Sequence, residues 1–243
     1  MMWRRAWREL GLKSRLISRT SSDKTYLKVP PPYKLILFDF DGTLVDTVDD
    51  ITYYVNDVLS ERGYTQASAA QVKAAIGWGV PELLKILVPA FSDDPADLES
   101  AVRTFKDRYR ENPVRVTCPF PNVIEVLEGP LRKTPKAIIT NKPQDIALRV
   151  LDELGMRHYF EEVIGTQGNF APKPDPASSL YLMSRFDASA EVTVYVGDSP
   201  VDAQTSEAAG IDFAWMEYGY QDCGLLNPRF RFFSAEDWGV LVS

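Results

Sequence analysis

The chain has 243 residues, 45% hydrophobic and 25% charged, the balance of an ordinary soluble globular protein with room for one large domain and a smaller insert. A formal net charge of −7 argues against a nucleic-acid backbone as partner, and no stretch is long and apolar enough to cross a membrane. Two cysteines, Cys118 and Cys223, exclude a disulfide framework and a thiolate zinc site and fit a reducing, cytoplasmic compartment; the single histidine, His158, excludes a multi-histidine metal site or a histidine-based triad.

Residues 1–32 are set apart. They carry Arg4, Arg5, Arg8, Lys13, Arg15, Arg19, Lys24 and Lys28 against only Glu9 and Asp23, and Val29-Pro30-Pro31-Pro32 breaks them from the first strand. This is the composition of an organellar transit peptide or of a plain basic tail, without the apolar core of a secretory signal. Organellar localisation is the alternative to a cytoplasmic one. Tyr33-Lys34-Leu35-Ile36-Leu37 then reads as a buried parallel strand, and it runs into Phe38-Asp39-Phe40-Asp41-Gly42-Thr43-Leu44. Two carboxylates at the end of a buried strand need a cation, a raised pKa or a hydrogen-bond network. Gly42 allows the sharp turn that brings the chain beside a bound group. Such strand ends are where open α/β sheets place ligands.

From Asp46 to Pro113 no strand pattern is evident and helices are expected. Thr47 is placed to cap the first, through Ile51, Tyr54, Val55 and Val58, with Asp49 and Asp50 in its first turn. A second begins near Ser68, Gly77-Trp78-Gly79 interrupts it, Val80-Pro81-Glu82 opens a third, and a fourth spans about 97–110. Strand and helix alternate afterwards. Strands are expected at 136–140, 163–166, 192–196 and 211–215, the last of these being the last central strand, with helices at 145–154, 177–185 and 200–209 between them. The class is α/β, a Rossmann-like three-layer parallel core with an inserted all-helical domain. The boundaries drawn are 33–47 and 117–243 for the core and 48–116 for the insert.

Three further segments carry reactive groups to strand ends or the loops beyond. Ala137-Ile138-Ile139-Thr140-Asn141-Lys142 ends in a hydroxyl, an amide and an amine, and Ala171-Pro172-Lys173-Pro174-Asp175-Pro176 fixes one lysine between prolines. Val196-Gly197-Asp198-Ser199-Pro200-Val201-Asp202 brings a second pair of aspartates, with Ser199 and Pro200 placed to start a helix. Four aspartates against one lysine call for a divalent cation.

In order, Asp39-x-Asp41, Thr140, Lys173 and Asp198-x-x-x-Asp202 resemble the four motifs of the haloacid dehalogenase superfamily, over roughly residues 33–243. Within it, Phe40-Asp41-Gly42-Thr43-Leu44-Val45-Asp46-Thr47, Ile76-Gly77-Trp78-Gly79, Thr140-Asn141-Lys142-Pro143, Lys173-Pro174-Asp175-Pro176 and Val196-Gly197-Asp198-Ser199 resemble the phosphoglycolate phosphatase branch, the first, third and fourth recurring across many relatives in the superfamily. The resemblance implies a phosphatase for a small-molecule phosphate ester, 2-phosphoglycolate in first place, with a phosphomutase or phosphotransferase, another phosphate ester, or a non-enzymatic binding protein as alternatives. It implies Asp39 as nucleophile and Asp41 as general acid and base. It implies Mg2+ held by Asp39, Asp198 and the backbone carbonyl of Asp41, with Asp202 orienting the metal's waters or Lys173. Thr140 and Lys173 would bind the phosphoryl group, and backbone amides near Gly42 and Asn141 would complete its cradle. The helical insert would be a cap that selects the substrate, with Gly77, Trp78 and Gly79 closing over it. Gly165-Thr166-Gln167-Gly168-Asn169-Phe170 lacks the acidic residue that many phosphoglycolate phosphatases carry before their lysine motif.

Overall fold

A computed structural model describes residues 32–222, 224, 226 and 228–243, so Cys223 and all but the last residue of the basic extension expected over 1–32 lie outside the described residues. Six parallel strands form one sheet in the order β5-β4-β1-β6-β7-β8. They are β1 (Leu35–Phe38), β4 (Lys136–Pro143), β5 (Glu162–Thr166), β6 (Thr193–Gly197), β7 (Asp212–Met216) and β8 (Phe230–Phe232). All four residues of β1 are buried, because both its edges are paired: Phe38 lies opposite Ile138 of β4 and Val196 of β6. Its side chains alternate between faces. Ile36 and Phe38 join one apolar cluster, and Leu35 and Leu37 join the other.

The order of strands places the site. From β1 the chain builds outward through β4 and β5, then returns past β1 to add β6, β7 and β8 on the other side. The reversal opens a crevice at the C-terminal end of β1, where neighbouring connections leave in opposite directions. On one face lie α5 (Val123–Glu128) and α6 (Gln144–Glu153), with Trp238 and Leu241 of the closing 3-10 helix; on the other, α7 (Ala177–Arg185) and α8 (Pro200–Ala209) contribute Leu182 and Ala209.

Between β1 and β4 the chain leaves the sheet through a two-stranded antiparallel ribbon, β2 (Val45–Asp46) paired with β3 (Cys118–Pro119). Four helices lie between its strands: α1 (Val48–Glu61), α2 (Ala69–Ala75), α3 (Val80–Leu87) and α4 (Pro95–Glu111). Ser68 caps α2 as a reciprocal capping box with Gln71. Tyr54 of α1 stacks on Tyr109 of α4 with ring centroids 5.1 Å apart, and its hydroxyl donates to the Asn112 carbonyl.

The fold departs from the sequence pattern in four places. β4 continues past Thr140 to Pro143, through a register shift between Ile139 and Pro143, so the polar groups expected beyond the strand are part of it. β7 is the last central strand, as expected, but the edge strand β8 outside it is not foreseen by the pattern, and the β2–β3 ribbon carries no periodic signal at two residues a side. Thr47 occupies the expected cap position of α1 without capping it. Its hydroxyl donates instead to Asp41 Oδ1 at 2.7 Å. His158 sits in a short 3-10 turn with its ring 3.9 Å from that of Tyr159.

Asp50, in the first turn of α1, fastens the return of the insert. Its buried carboxylate accepts the backbone N–H groups of Arg115 and Thr117 at 3.0 Å each, that of Val116, and the Thr117 hydroxyl at 2.6 Å. Burial alone would push its pKa up, but these donors outweigh burial and hold it below the ordinary carboxylate value. A depressed folded-state pKa gives stability that is present above the unfolded value and lost as pH falls through the folded one. Asp50→Asn should therefore cost about 2 kcal/mol at neutral pH, the scale of a buried hydrogen-bonded charge. In urea unfolding the gap between wild type and variant should close on acidification. A gap independent of pH would show that the charge is not what holds the segment.

Candidate active site

The loop after β1 turns at Gly42, whose φ of 90° is open to glycine at little cost. Space is the stronger requirement. A Cβ on Gly42 would lie 2.3 Å from Asp198 Oδ2, and one on Gly219 would lie 2.1 Å from Asp198 Cβ. The two glycines let the loops after β1 and β7 close on Asp198 from opposite sides. Thr43 then donates its hydroxyl to Asp198 Oδ1 at 2.8 Å, and the Tyr220 backbone N–H donates to Oδ2 at 2.7 Å. The Gly42 N–H itself donates to the Val45 carbonyl at 3.0 Å within the turn.

Lys173 reaches the same crevice from the loop after β5. Its ammonium lies 2.6 Å from Asp39 Oδ1 and 2.6 Å from Asp202 Oδ1, with all three side chains buried. Asp202 Oδ2 is held in turn by the Ser199 N–H at 3.0 Å and the Ser199 hydroxyl at 2.6 Å, so Ser199 serves both the helix start and the site. Asn141 clamps the lysine from behind: its Oδ1 accepts the Lys173 N–H at 2.8 Å, and its Nδ2 donates to the carbonyls of Lys173 and Gly77. The Asn141 side chain is thus committed to holding three segments together. The Thr140 hydroxyl accepts the Lys142 N–H at 3.1 Å, so it orders the strand end and retains its own proton to donate.

A cavity at the mouth of the crevice is lined from the sheet by Asp39, Asp41, Thr140, Asn141, Lys142 and Pro143, and from the insert by Ile51, Ile76, Gly77, Gly79, Val80, Leu83, Phe105 and Tyr109. The expected closure by Trp78 needs correction. Gly77 and Gly79, with φ of 120° and 88°, face the cavity, whereas Trp78 lies outside its wall and is 37% exposed. The backbone of the turn, held by Asn141, is what reaches the site.

Lys142, Tyr109, Thr43, Tyr220 and Gly219 belong to the site, and the sequence pattern does not single them out. Lys142 is visible there only as an amine at a strand end, and Thr43 only as a residue of the first aspartate motif; Tyr109, Tyr220 and Gly219 sit in segments with no chemical signature. The buried Lys142 ammonium lies 2.9 Å from Asp41 Oδ1 and donates to the Tyr109 hydroxyl at 2.9 Å. Burial works against its charge, but Asp41 and Tyr109 outweigh it and hold its pKa above the usual lysine value. The charge count becomes four carboxylates against two ammonium groups, which is still net negative.

That imbalance is visible in the protonation of the site. Burial, then the Asp202 charge, push Asp39 well above the carboxylate range against the pull of Lys173. The same two causes raise Asp198 to about 7, opposed by the Tyr220 N–H and the Thr43 hydroxyl. Lys173 is held far above its ordinary value, since Asp202 and Asp39 overcome the cost of its burial. Oxygen atoms from Asp39, Asp198 and Asp202 all lie within 4.8 Å of one another. An all-carboxylate set that resists full ionisation suits a hard divalent cation.

The comparisons with known proteins agree with this geometry. The model of haloacid dehalogenase-like hydrolases matches residues 36–216. The chain belongs to that family. It is 35% identical over 193 residues to a phosphoglycolate phosphatase of Pseudomonas syringae pv. syringae, covering 77% of this chain and 70% of that protein. It is 34% identical to the phosphoglycolate phosphatase of Rhodobacter capsulatus, covering 76% and 85%. The crystal structure of a predicted phosphoglycolate phosphatase from Haemophilus somnus superimposes with a TM-score of 0.77 at 30% identity, covering 84% of this chain and 95% of that one. Among the described residues no helix is long and apolar enough to cross a membrane.

Two outcomes test the carboxylate cluster. Cation binding requires deprotonated ligands, so affinity for magnesium should rise with pH through about 7, where Asp198 loses its proton. Calorimetry in buffers of different ionisation enthalpy should register the released protons below that pH. Gly219→Ala should displace Asp198 and weaken magnesium binding by roughly tenfold or more, the range seen when a ligand's support is disturbed. Unchanged affinity in that variant would separate Asp198 from cation binding.

Proposed function

We propose that this chain is a magnesium-dependent phosphatase that hydrolyses 2-phosphoglycolate through a phosphoryl-aspartate at Asp39. One observation carries the reading: Asp39 just after β1 and Asp198 and Asp202 after β6 cluster beside a buried lysine that pairs with Asp39 and Asp202, where the strand order reverses. The relatives named as phosphoglycolate phosphatases supply the substrate. The helical insert acts as the cap.

A phosphate monoester dianion repels nucleophiles, so the site has to offset charge before Asp39 can attack. Lys173 sits where it can neutralise both the nucleophile and the incoming oxygens, and the Thr140 hydroxyl has a proton to give one of them. Asp39 and Asp198, with the Asp41 carbonyl, would hold magnesium, which supplies further charge neutralisation to the phosphoryl oxygens when bound. Asp202 has both oxygens engaged, by Lys173 and by Ser199, which supports a role in fixing Lys173 over direct ligation.

Asp39 attacks phosphorus as the bond to the ester oxygen breaks. Asp41 protonates that oxygen and then takes a proton from the water that hydrolyses the phosphoryl-aspartate. Thr47 and Lys142 both hold Asp41 Oδ1, which leaves Oδ2 to exchange the proton. The apolar side chains of the insert in the cavity wall limit water at the reacting oxygen.

The reading is tested by a panel of small phosphate esters assayed with added magnesium, in which 2-phosphoglycolate should give the highest kcat/KM. Chelation should abolish turnover and magnesium restore it. Asp39→Asn should remove activity by at least about a thousandfold, the scale of losing a covalent nucleophile, with the melting temperature retained. Phosphoryl transfer trapped on any other residue by mass spectrometry would overturn the assignment.

A further inference from the structure

Magnesium and Lys173 account for the phosphoryl group, but nothing in that account recognises the rest of a glycolate ester. We propose that Lys142 is the specificity-determining residue, its ammonium receiving the carboxylate of the leaving group. The inference rests on the phosphatase reading above and deepens it to the class of substrates that carry an anion beside the ester oxygen.

Lys142 is the only basic side chain in the cavity wall among the described residues. Lys173 lies behind the wall, engaged by Asp39 and Asp202. The wall also contains the Asp39 and Asp41 carboxylates, which would repel a second anion entering beside the phosphate. A lysine ammonium has three N–H donors. Two are used here, on Asp41 Oδ1 and the Tyr109 hydroxyl, each at 2.9 Å. The third remains for a ligand, on a side chain that already lines the cavity.

Position agrees with the chemistry. Asp41 is the group that faces the ester oxygen, and Lys142 is its direct neighbour. In a glycolate ester the carboxylate is borne by the carbon bonded to that oxygen, so the anion falls within one side chain of Asp41. Around it the insert contributes Ile51, Leu83 and Phe105, which offer no hydrogen bonds to the hydroxyls of a sugar. A compact leaving group with one charge fits such a wall, and a polyhydroxylated one does not.

The test compares 2-phosphoglycolate with ethyl phosphate, which has a methyl group in place of the carboxylate, at saturating magnesium. Lys142→Met should lower kcat/KM for both, because Asp41 loses a neighbour, but the preference for 2-phosphoglycolate should fall by a further ten- to hundredfold, the range of a charge-assisted hydrogen bond. Glycolate should also cease to inhibit hydrolysis of an aryl phosphate by the variant. If Lys142→Met does not fold, Lys142→Gln and Tyr109→Phe provide the same comparison, the second leaving the cation in place and the preference largely intact. Equal losses on both esters, with glycolate inhibition retained, would overturn the inference and leave Lys142 as a support for Asp41. A wild type that does not prefer 2-phosphoglycolate over ethyl phosphate would instead refute the substrate reading on which the inference stands.

Discussion

The Lys173 ammonium, held 2.6 Å from both Asp39 and Asp202, is the interaction on which the rest of the site depends. Each of these groups is buried and each would be costly alone; together they satisfy one another, and removing any one leaves an uncompensated charge. The surrounding sequence is arranged to keep the three in register. Asn141 grips the backbone of Lys173 on both its N–H and its carbonyl, Ser199 grips Asp202, and Asp39 follows directly on the central strand. Gly197 belongs to the same constraint, since a Cβ there would lie 2.6 Å from the Asp202 carboxyl carbon. Three distant segments are thereby fixed relative to the sheet by contacts that are polar and directional, inside a core that is otherwise apolar.

Asp198 is held by different means. No lysine or arginine pairs with it among the described residues; a hydroxyl and a backbone N–H take its oxygens, and two glycines leave it room. Neutral donors stabilise the carboxylate without cancelling its charge, which keeps it available to a cation. The pairing of Asp39 with Lys173 and the neutral support of Asp198 divide the acidic cluster into one arm that is partly compensated and one that is not. That uncompensated arm is the part of the cluster suited to a hard divalent cation.

The cluster of carboxylates around Lys173 was legible in the sequence because its residues sit at the ends of near-continuous apolar strands or in the loops beyond, where carboxylates and a lysine have no structural reason to be. The same logic located β1, β4, β6 and β7 within a residue or two at most boundaries. It failed where the signal lies in three dimensions only. Thr47 reads as a helix cap by composition, and only the fold shows its hydroxyl turned to Asp41. Asn141 stands out in the sequence only for its place beside Thr140, and only the fold shows its side-chain amide holding the Lys173 backbone and Gly77. Tyr109 is one of two aromatics on an amphipathic helix, and nothing in its neighbourhood along the chain points to Lys142. Trp78 misled for the opposite reason: a tryptophan between two glycines draws the eye, while the glycines are what approach the cavity.

The division of labour between core and insert comes from the origin of the cavity wall. The core supplies every charged group, because charges can be buried only where strand ends and loop donors converge to satisfy them. The insert supplies apolar side chains and one phenol, on helices tied to the core through the Asp50 carboxylate at the ribbon and the Tyr109 hydroxyl at the site. A change of residue at Ile51, Leu83 or Phe105 therefore alters which leaving group fits without disturbing the ion pairs that bind the phosphoryl group. A change at Lys142 does both, since its ammonium belongs to the core network on one side and to the cavity on the other. That double membership is the physical reason a single lysine can couple the choice of substrate to the group that hands over the proton.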